Sequence, residues 1–254
     1  MNIIVPVKLV PDLVEELTID ESGTTLDNTW LRLIINEFDD HAIEQAILLK
    51  ERFGGNITII SPDIEGIDDL FFTSAAKGVD RLVKLVGDFG SGVNNHALAR
   101  VIASFVRELQ HDLVLTGVQA HDDLDGPLGP LLAEYLGIPY IGYITGVNLD
   151  DGRATVQKEH PGSLIAEMEV NLPAVLGIQA AEQPPRYVAI SKVRQMMKSA
   201  IIEEHPIGML DSTGGPSVSR MYQPQTSERA TMLADNHDQA AEQLVAIFIE
   251  LGVI

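Results

Sequence analysis

The chain has 254 residues, 45% of them hydrophobic, and its 37 acidic against 17 basic side chains give a formal net charge of −20. This length suits one large domain, or a domain with an appendage, that buries a sizeable core. The negative charge argues against nonspecific binding to nucleic acid or to an anionic membrane. Because the chain has no cysteine, disulfides, thiolate catalysis and cysteine-ligated metal sites are excluded within it.

The N-terminal residues lack the pattern of a charged segment followed by an apolar one that marks a secretory signal. Residues 1–5 begin directly with apolar residues typical of a strand. No apolar run reaches the roughly 18–20 residues that a membrane-spanning helix needs. We therefore expect a cytoplasmic protein.

Strands and helices are predicted to alternate over roughly the first 140 residues. The predicted strands are 3–7, 56–60, 81–86 and 111–116, and the predicted helices start near Asp39 or Asp40, Asp63, and Asn94 or Asn95. Such an alternation predicts an α/β fold with a doubly wound, mostly parallel, Rossmann-like sheet.

The sequence pattern changes after Pro139. Residues 146–150 and 154–158 flank Asp151-Gly152, a turn typical of a β-hairpin, and residues 165–172 alternate as an antiparallel strand does. We expect a core at residues 1–187, followed at 188–254 by an extended C-terminal arm with a terminal helix over residues 235–251. The apolar side of that helix needs a covering surface, either its own sheet or a partner subunit.

The loop at residues 117–129, GVQAHDDLDGPLG, lies between the fourth predicted strand and a predicted helix at 130–136. A strand, a glycine-rich loop and a helix N-terminus form the phosphate site of many open α/β folds. The same loop carries Asp122, Asp123 and Asp125, which repel phosphate, while Pro127 and Pro130 lack a backbone N–H. The arrangement predicts a nucleotide site, whereas its chemistry is partly hostile to phosphate.

Other kinds of site receive little support from the sequence. His121 beside Asp122 and Asp123 raises the alternative of a metal-dependent hydrolase, but no histidine pair has ligand spacing and we assign no metal. Ser61 follows the second strand without a Gly-x-Ser-x-Gly elbow, so we expect a hydrogen-bonding role and assign no catalytic residue. Neither a Gly-x-Gly-x-x-Gly nor a Walker loop is present.

Five short motifs occur in order along most of the chain. They are Val5-Pro6-Val7-Lys8, Asn36-Glu37-Phe38-Asp39, Gly78-Val79-Asp80-Arg81, the segment 112–122 with Gly117 and Gln119, and Leu172-Pro173-Ala174-Val175-Leu176 with the following Pro185-Arg186-Tyr187. Together they resemble the electron transfer flavoprotein beta subunit.

This resemblance implies an adenine nucleotide alpha hydrolase-like fold and a heterodimer whose alpha subunit holds most of the redox FAD. The beta core of the family binds AMP, or a second FAD in electron-bifurcating members. By position, Phe38 would approach the flavin. The nucleotide site would comprise Pro6, Asn36, Ser61, Gly117, Gln119, Ala120, Asp122, Asp123, Asp125, Gly126, Leu128 and Gly129.

The resemblance also implies partners and a role. Arg186, Tyr187 and Ile190 would dock a flavin dehydrogenase such as an acyl-CoA dehydrogenase, and a quinone oxidoreductase or another acceptor would take the electrons. The chain would then be an electron carrier subunit and not an enzyme. A bifurcating beta subunit and a stand-alone adenine-nucleotide-binding module resembling universal stress proteins are the alternatives. The family's glutamine is replaced by Pro127, and the loop of bifurcating members is absent, so simple transfer is favoured.

Overall fold

A computed structural model describes the chain except for residues 91–92, 124–125, 225–229, 231 and 235. The chain forms two compact units, Met1–Met221 and Tyr222–Ile254. Two sequence predictions fall on residues outside this description, the ligand-binding role of Asp125 and the start of the terminal helix at Asp235. Among the helices described, none is both long and apolar enough to cross a membrane.

The described elements follow one another in a strand–helix alternation that ends in a hairpin region. In chain order they are β1 (Asn2–Pro6), β2 (Leu9–Pro11), β3 (Leu33–Ile35), α1 (Glu37–Phe53), β4 (Asn56–Pro62), α2 (Ile67–Lys77), β5 (Arg81–Val86), α3 (Asn95–Val106), β6 (Leu113–Gly117), α4 (Leu128–Leu136), β7 (Tyr140–Asp150), β8 (Arg153–His160), β9 (Leu164–Asn171), β10 (Ala174–Ile178), α5 (Ile190–Ser199), β11 (Ile202–Pro206) and α6 (His237–Glu250).

The main sheet has the strand order β11-β5-β4-β1-β6-β10-β7-β8-β9. Its strands are parallel from β11 to β7, and β8 and β9 continue it as antiparallel strands. From β1 the chain first builds outward through β4 and β5, and then returns to place β6 on the other side of β1. The mostly parallel sheet and the antiparallel hairpin confirm the predicted fold class.

Helices cover both faces of the sheet because the central strands are apolar on both sides. In β1, Ile3 and Val5 pack in the core cluster that contains the buried residues of α1 and α2, whereas Ile4 packs with those of α3 and α4. Alternate side chains of a strand point to opposite faces. The sheet is therefore doubly wound, as the sequence predicts.

Several helix boundaries follow from single residues. The Asn94 side chain accepts the N–H of Ala97 at 2.9 Å, so it caps α3 as predicted. The first helix begins earlier than predicted, at Glu37, with Asn36 at the N-cap position. Gly54 ends this helix, with its N–H on the Lys50 carbonyl oxygen at 2.8 Å.

Four elements were not predicted from the sequence. They are the short antiparallel pair of β2 and β3, helix α5, and strand β11, which pairs in parallel with β5 at the sheet edge. The segment after residue 187 thus supplies an edge strand as well as an arm. The predicted division at residue 187 concerns function and stays a prediction.

Candidate functional site

The carboxyl ends of β1 and β6 lie side by side at the centre of the sheet, because Ile3 and Ile4 pair in parallel with Leu113 and Val114. Strand order reverses between these two strands. Open α/β sheets bind ligands at such a switch point, outside the carboxyl ends of the strands. The segment after β1, the start of α1 and the loop after β6 therefore form the candidate site, which we call the carboxyl edge.

Lys8 pairs with the acids of the loop. Its Nζ lies 2.7 Å from Oδ1 of Asp122 and 2.7 Å from Oδ1 of Asp123. Burial by itself would lower the Lys8 pKa, but the two carboxylates outweigh burial and raise it. The ammonium therefore stays charged, and its charge is neutralised by two carboxylates of the same chain.

Asp123 is the centre of a larger network. Besides Lys8, its Oδ1 accepts a 2.7 Å hydrogen bond from Asn95 Nδ2, and its Oδ2 accepts the N–H of Ala120 at 2.7 Å. Asn95 uses its second amide hydrogen on the Gly126 carbonyl oxygen at 2.8 Å. The Lys8–Asp123–Asn95 network, as we call it, thereby ties the loop to the end of β1 and to the start of α3.

A second carboxylate, that of Asp39, connects the segment after β1 to the end of β6. The Asp39 side chain accepts the N–H groups of Lys8 and Gly117, each at 3.0 Å. Burial raises the pKa of Asp39 to about 7, although these donors and the Lys8 charge oppose the shift. A Cβ on Gly117 would lie 2.4 Å from Asp39 Oδ1, so this contact requires glycine. Asn36 Nδ2 also donates to the Gln119 carbonyl oxygen at 3.0 Å.

The predicted nucleotide residues other than Asp125 belong to segments that meet at this edge, but half of them are closed to solvent. Ser61 lies near the carboxyl end of β4, the neighbour of β1 in the sheet. The Val7 N–H donates to the carbonyl oxygen of Ile60, the residue before Ser61. The Ser61 hydroxyl donates to the Pro62 carbonyl oxygen. Buried are Pro6, Asn36, Ser61, Gly117, Ala120 and Gly129; partly buried are Phe38, Asp123 and Leu128; exposed are Gln119, Asp122 and Gly126.

Two residues of the network were not predicted as site residues. Lys8 was recognised only as part of a motif, and Asn95 only as a possible helix cap. A signal for Asn95 exists in the sequence, because two adjacent asparagines stand at the start of α3 and only Asn94 is needed as the cap. The second amide is then free to reach the loop.

The residues at the carboxyl edge do not fit a nucleotide phosphate. A phosphate at a helix N-terminus needs backbone N–H groups and cations or side-chain donors. At α4 the N-cap is Pro127, which has no N–H, and the described first-turn residues 128–131 bear no side-chain donor. The buried hydroxyl of Thr116 has no partner among the described residues, but it lies against the backbone of Gly129, where a Cβ would be 2.7 Å away.

The metal-dependent hydrolase alternative also loses its ligands. Asp122 and Asp123, the acids beside His121, are paired with Lys8. Within the described part of the chain, no group of three or more histidine, aspartate or glutamate side chains could hold a metal ion.

The segment predicted to dock partners is anchored on α1. Arg186 lies 2.8 Å from the buried Glu44 and 2.6 Å from the exposed Glu51, and its backbone N–H bonds to Glu44 Oε2 at 2.9 Å. The Arg186 side chain is thus held by two glutamates of α1, whereas Tyr187 and Ile190 are 86% and 63% exposed. The segment presents apolar side chains from a fixed base.

The helix that follows, α5, is cationic in an otherwise acidic chain. Residues 183–202 contain no acid, and Lys192, Arg194 and Lys198 project from the helix. Within the described structure, no salt bridge joins these three side chains to an acid. The α5 surface therefore offers unpaired positive charge beside exposed Ile190 and Met197.

Comparison with known proteins gives a family match over most of the chain. The electron transfer flavoprotein domain matches residues 25–207. The electron transfer flavoprotein subunit beta of Methylophilus methylotrophus is 28% identical and covers 98% of both chains. Those of Clostridium acetobutylicum and Bacillus subtilis are 32% and 27% identical, covering 76% and 97% of this chain and 74% and 97% of their own lengths. The chain therefore belongs to the electron transfer flavoprotein family, as a beta subunit.

Proposed function

We propose that this chain pairs with an alpha subunit and carries electrons from a flavin dehydrogenase to a downstream acceptor in the cytoplasm. The observation that supports this most is the full-length similarity to beta subunits, combined with an edge whose described acids make internal contacts. Asp39, Asp122 and Asp123 each bond within the protein. No group of this set is free to act as a general acid or base, so the redox chemistry would belong to a cofactor.

The cofactor in this proposal is an FAD held mainly by the alpha subunit, and when bound it supplies the electron-accepting chemistry. The beta chain contributes one wall. Phe38, partly buried at the start of α1, is placed beside the carboxyl edge by its neighbours, since Asn36 bonds to the loop and Asp39 to both strand ends. A fixed aromatic side chain there would exclude water from the flavin without taking part in proton transfer.

The docking part of the proposal rests on exposure and rigidity. Tyr187 and Ile190 are exposed large side chains. Large side chains, tyrosine among them, that become buried on binding contribute much of the energy of protein interfaces. The Arg186 contacts with α1 hold their base in place. We propose that they dock a flavin dehydrogenase such as an acyl-CoA dehydrogenase, with a quinone oxidoreductase or similar protein as acceptor.

The terminal helix supports a heterodimer. In the second unit, α6 has no buried residue, and Leu244, Phe248 and Ile249 remain exposed. A row of exposed apolar side chains on one helix is typical of a protein interface. We propose that the alpha subunit covers this helix.

Simple electron transfer is favoured over bifurcation. A second FAD, or the AMP that the resemblance also predicts, needs donors for its phosphates, and the carboxyl edge does not fit them. We therefore assign no step to a nucleotide bound by this chain. The same mismatch disfavours a stand-alone adenine-nucleotide-binding module.

Co-expression with the cognate alpha subunit tests the function. We expect a stable heterodimer that retains FAD and whose flavin is reduced by a substrate-loaded dehydrogenase. A beta chain that stays monomeric, with no flavin in any fraction that contains both chains, would contradict the proposal.

A further inference from the structure

We infer that the described residues of the carboxyl edge hold the loop through internal contacts and that the edge binds no nucleotide phosphate. The inference deepens the proposed function and rests on it in one respect, because that function makes AMP and FAD the relevant nucleotides. Three independent properties of the edge carry the argument: its charge, its donors and the way its loop is held.

The charge of the edge is wrong for a phosphate. Lys8 carries one positive charge against the two negative charges of Asp122 and Asp123, both within 2.7 Å of its Nζ. Lys84, on strand β5, is likewise paired, with Asp68 at 2.6 Å. A phosphate would have to draw Lys8 away from Asp123, whose side chain is only 8% exposed. Leaving such a buried carboxylate without its cation is strongly unfavourable.

The described start of α4 offers a phosphate few donors. Pro127 at the N-cap of α4 removes a backbone N–H, and its ring offers no side-chain donor in exchange. Pro130 in the first turn removes a second backbone N–H, and Leu128 and Gly129 add backbone N–H groups but no side-chain donor. Each hydrogen bond to a charged group changes affinity by about 10- to 150-fold, so a phosphate here would lose much of the usual gain from a helix N-terminus.

The loop does not need a ligand to keep its shape. The Lys8–Asp123–Asn95 network fixes it at both ends, since Asp123 accepts the N–H of Ala120 at its start and Asn95 donates to the Gly126 carbonyl oxygen near its end. Asp123 thereby accepts from within the protein an N–H group of the loop that a bound phosphate oxygen could otherwise accept.

The test is AMP binding by the full chain in its heterodimer. Protein purified without added nucleotide is denatured and its AMP is quantified by chromatography, and the native heterodimer is titrated with AMP in a calorimeter. We expect far less than stoichiometric AMP in the extract and no saturable heat at millimolar AMP. Stoichiometric AMP, or saturable binding, would overturn the inference.

Two variants test the physical cause. Pro127→Gln adds a backbone N–H and a side-chain amide, whereas the control Pro127→Ala adds only the N–H. We expect Pro127→Gln to bind AMP at least about 10-fold more tightly than the wild type, and Pro127→Ala to lie between them. Equal behaviour of all three proteins, including no binding by any, would overturn the assignment to missing donors.

The outcome is separable from that of the proposed function. FAD is read by its absorbance and AMP by chromatography from the same extract. FAD together with AMP would overturn the inference and leave the electron carrier intact. A heterodimer without FAD would remove the function, while the AMP titration would still decide whether the edge binds phosphate.

Discussion

Replacing Asp123 by alanine should destabilise the protein far more than replacing its neighbour Asp122. Asp123 accepts hydrogen bonds from Lys8, Asn95 and the backbone of Ala120, and its side chain is 8% exposed. Among the described residues, Asp122 shares only the Lys8 contact, and its side chain is 37% exposed. The two adjacent acids thus form a matched pair that differs in burial and in the number of bonds.

The expected magnitude follows from those contacts. Removing one partner of a buried ion pair costs about 3–5 kcal/mol, and Asp122 can still pair with Lys8, so we expect Asp123→Ala to cost about 2–4 kcal/mol. For a chain of this size that corresponds to a fall in Tm of roughly 4–16 °C. For Asp122→Ala we expect at most about 1 kcal/mol, because exposed pairs contribute little.

Urea unfolding of the two variants in the heterodimer measures the difference. The wild type supplies the reference free energy of unfolding, and the m-value shows whether both variants unfold from the same compact state. If the two substitutions destabilise equally, to within about 0.5 kcal/mol, the network does not hold the loop and the reasoning is refuted.

Three further outcomes are expected. The Asp39 pKa is raised to about 7, so over part of the pH range the native state keeps a proton that the unfolded state releases. Wild-type stability relative to Asp39→Asn should therefore fall by up to about 1.4 kcal/mol per pH unit between roughly pH 4 and 7 and then level off. Parallel stability–pH curves of the two proteins would refute this. Glu44→Gln should cost about 1.5–3 kcal/mol of unfolding free energy and the exposed Glu51→Gln less than about 1, and similar values for both would count against an Arg186 anchor. Ile190→Ala should slow flavin reduction by a dehydrogenase about 10-fold with FAD content unchanged, while Met209→Ala, 99% exposed, serves as a control; equal rates in the two would remove Ile190 from the docking surface.

Local chemistry made part of the fold predictable. Strand β5 was predicted with its observed bounds. Its six residues lie between a glycine-containing turn and a polar segment, which leaves little choice of where the strand begins and ends. The Asn94 cap and the glycine end of α1 are likewise properties of neighbouring residues. The sequence has apolar periodicity near residues 190–202, but no helix was predicted there because the surrounding segment is rich in Pro, Ser and Gly.

The loop of the candidate site was predicted from the sequence, but the side chains that hold the loop were not. Residues 117–129 were recognised as a phosphate-type loop with acids that do not suit phosphate, and that conflict is local. Its resolution is not, because Lys8 and Asp123 are 115 positions apart and Asn95 lies 28 residues before Asp123. Only the parallel pairing of β1 with β6 brings the cation to the acids. No pattern along the chain reports that pairing.

The number of cofactors in the heterodimer decides whether this chain is a simple electron carrier subunit. The chain is co-purified with its alpha subunit, denatured, and assayed for FAD by absorbance and for AMP by chromatography. We expect one FAD and no AMP per heterodimer, with the flavin reducible by a dehydrogenase. Two FADs would contradict simple electron transfer, and a heterodimer that carries no flavin would contradict the electron carrier itself.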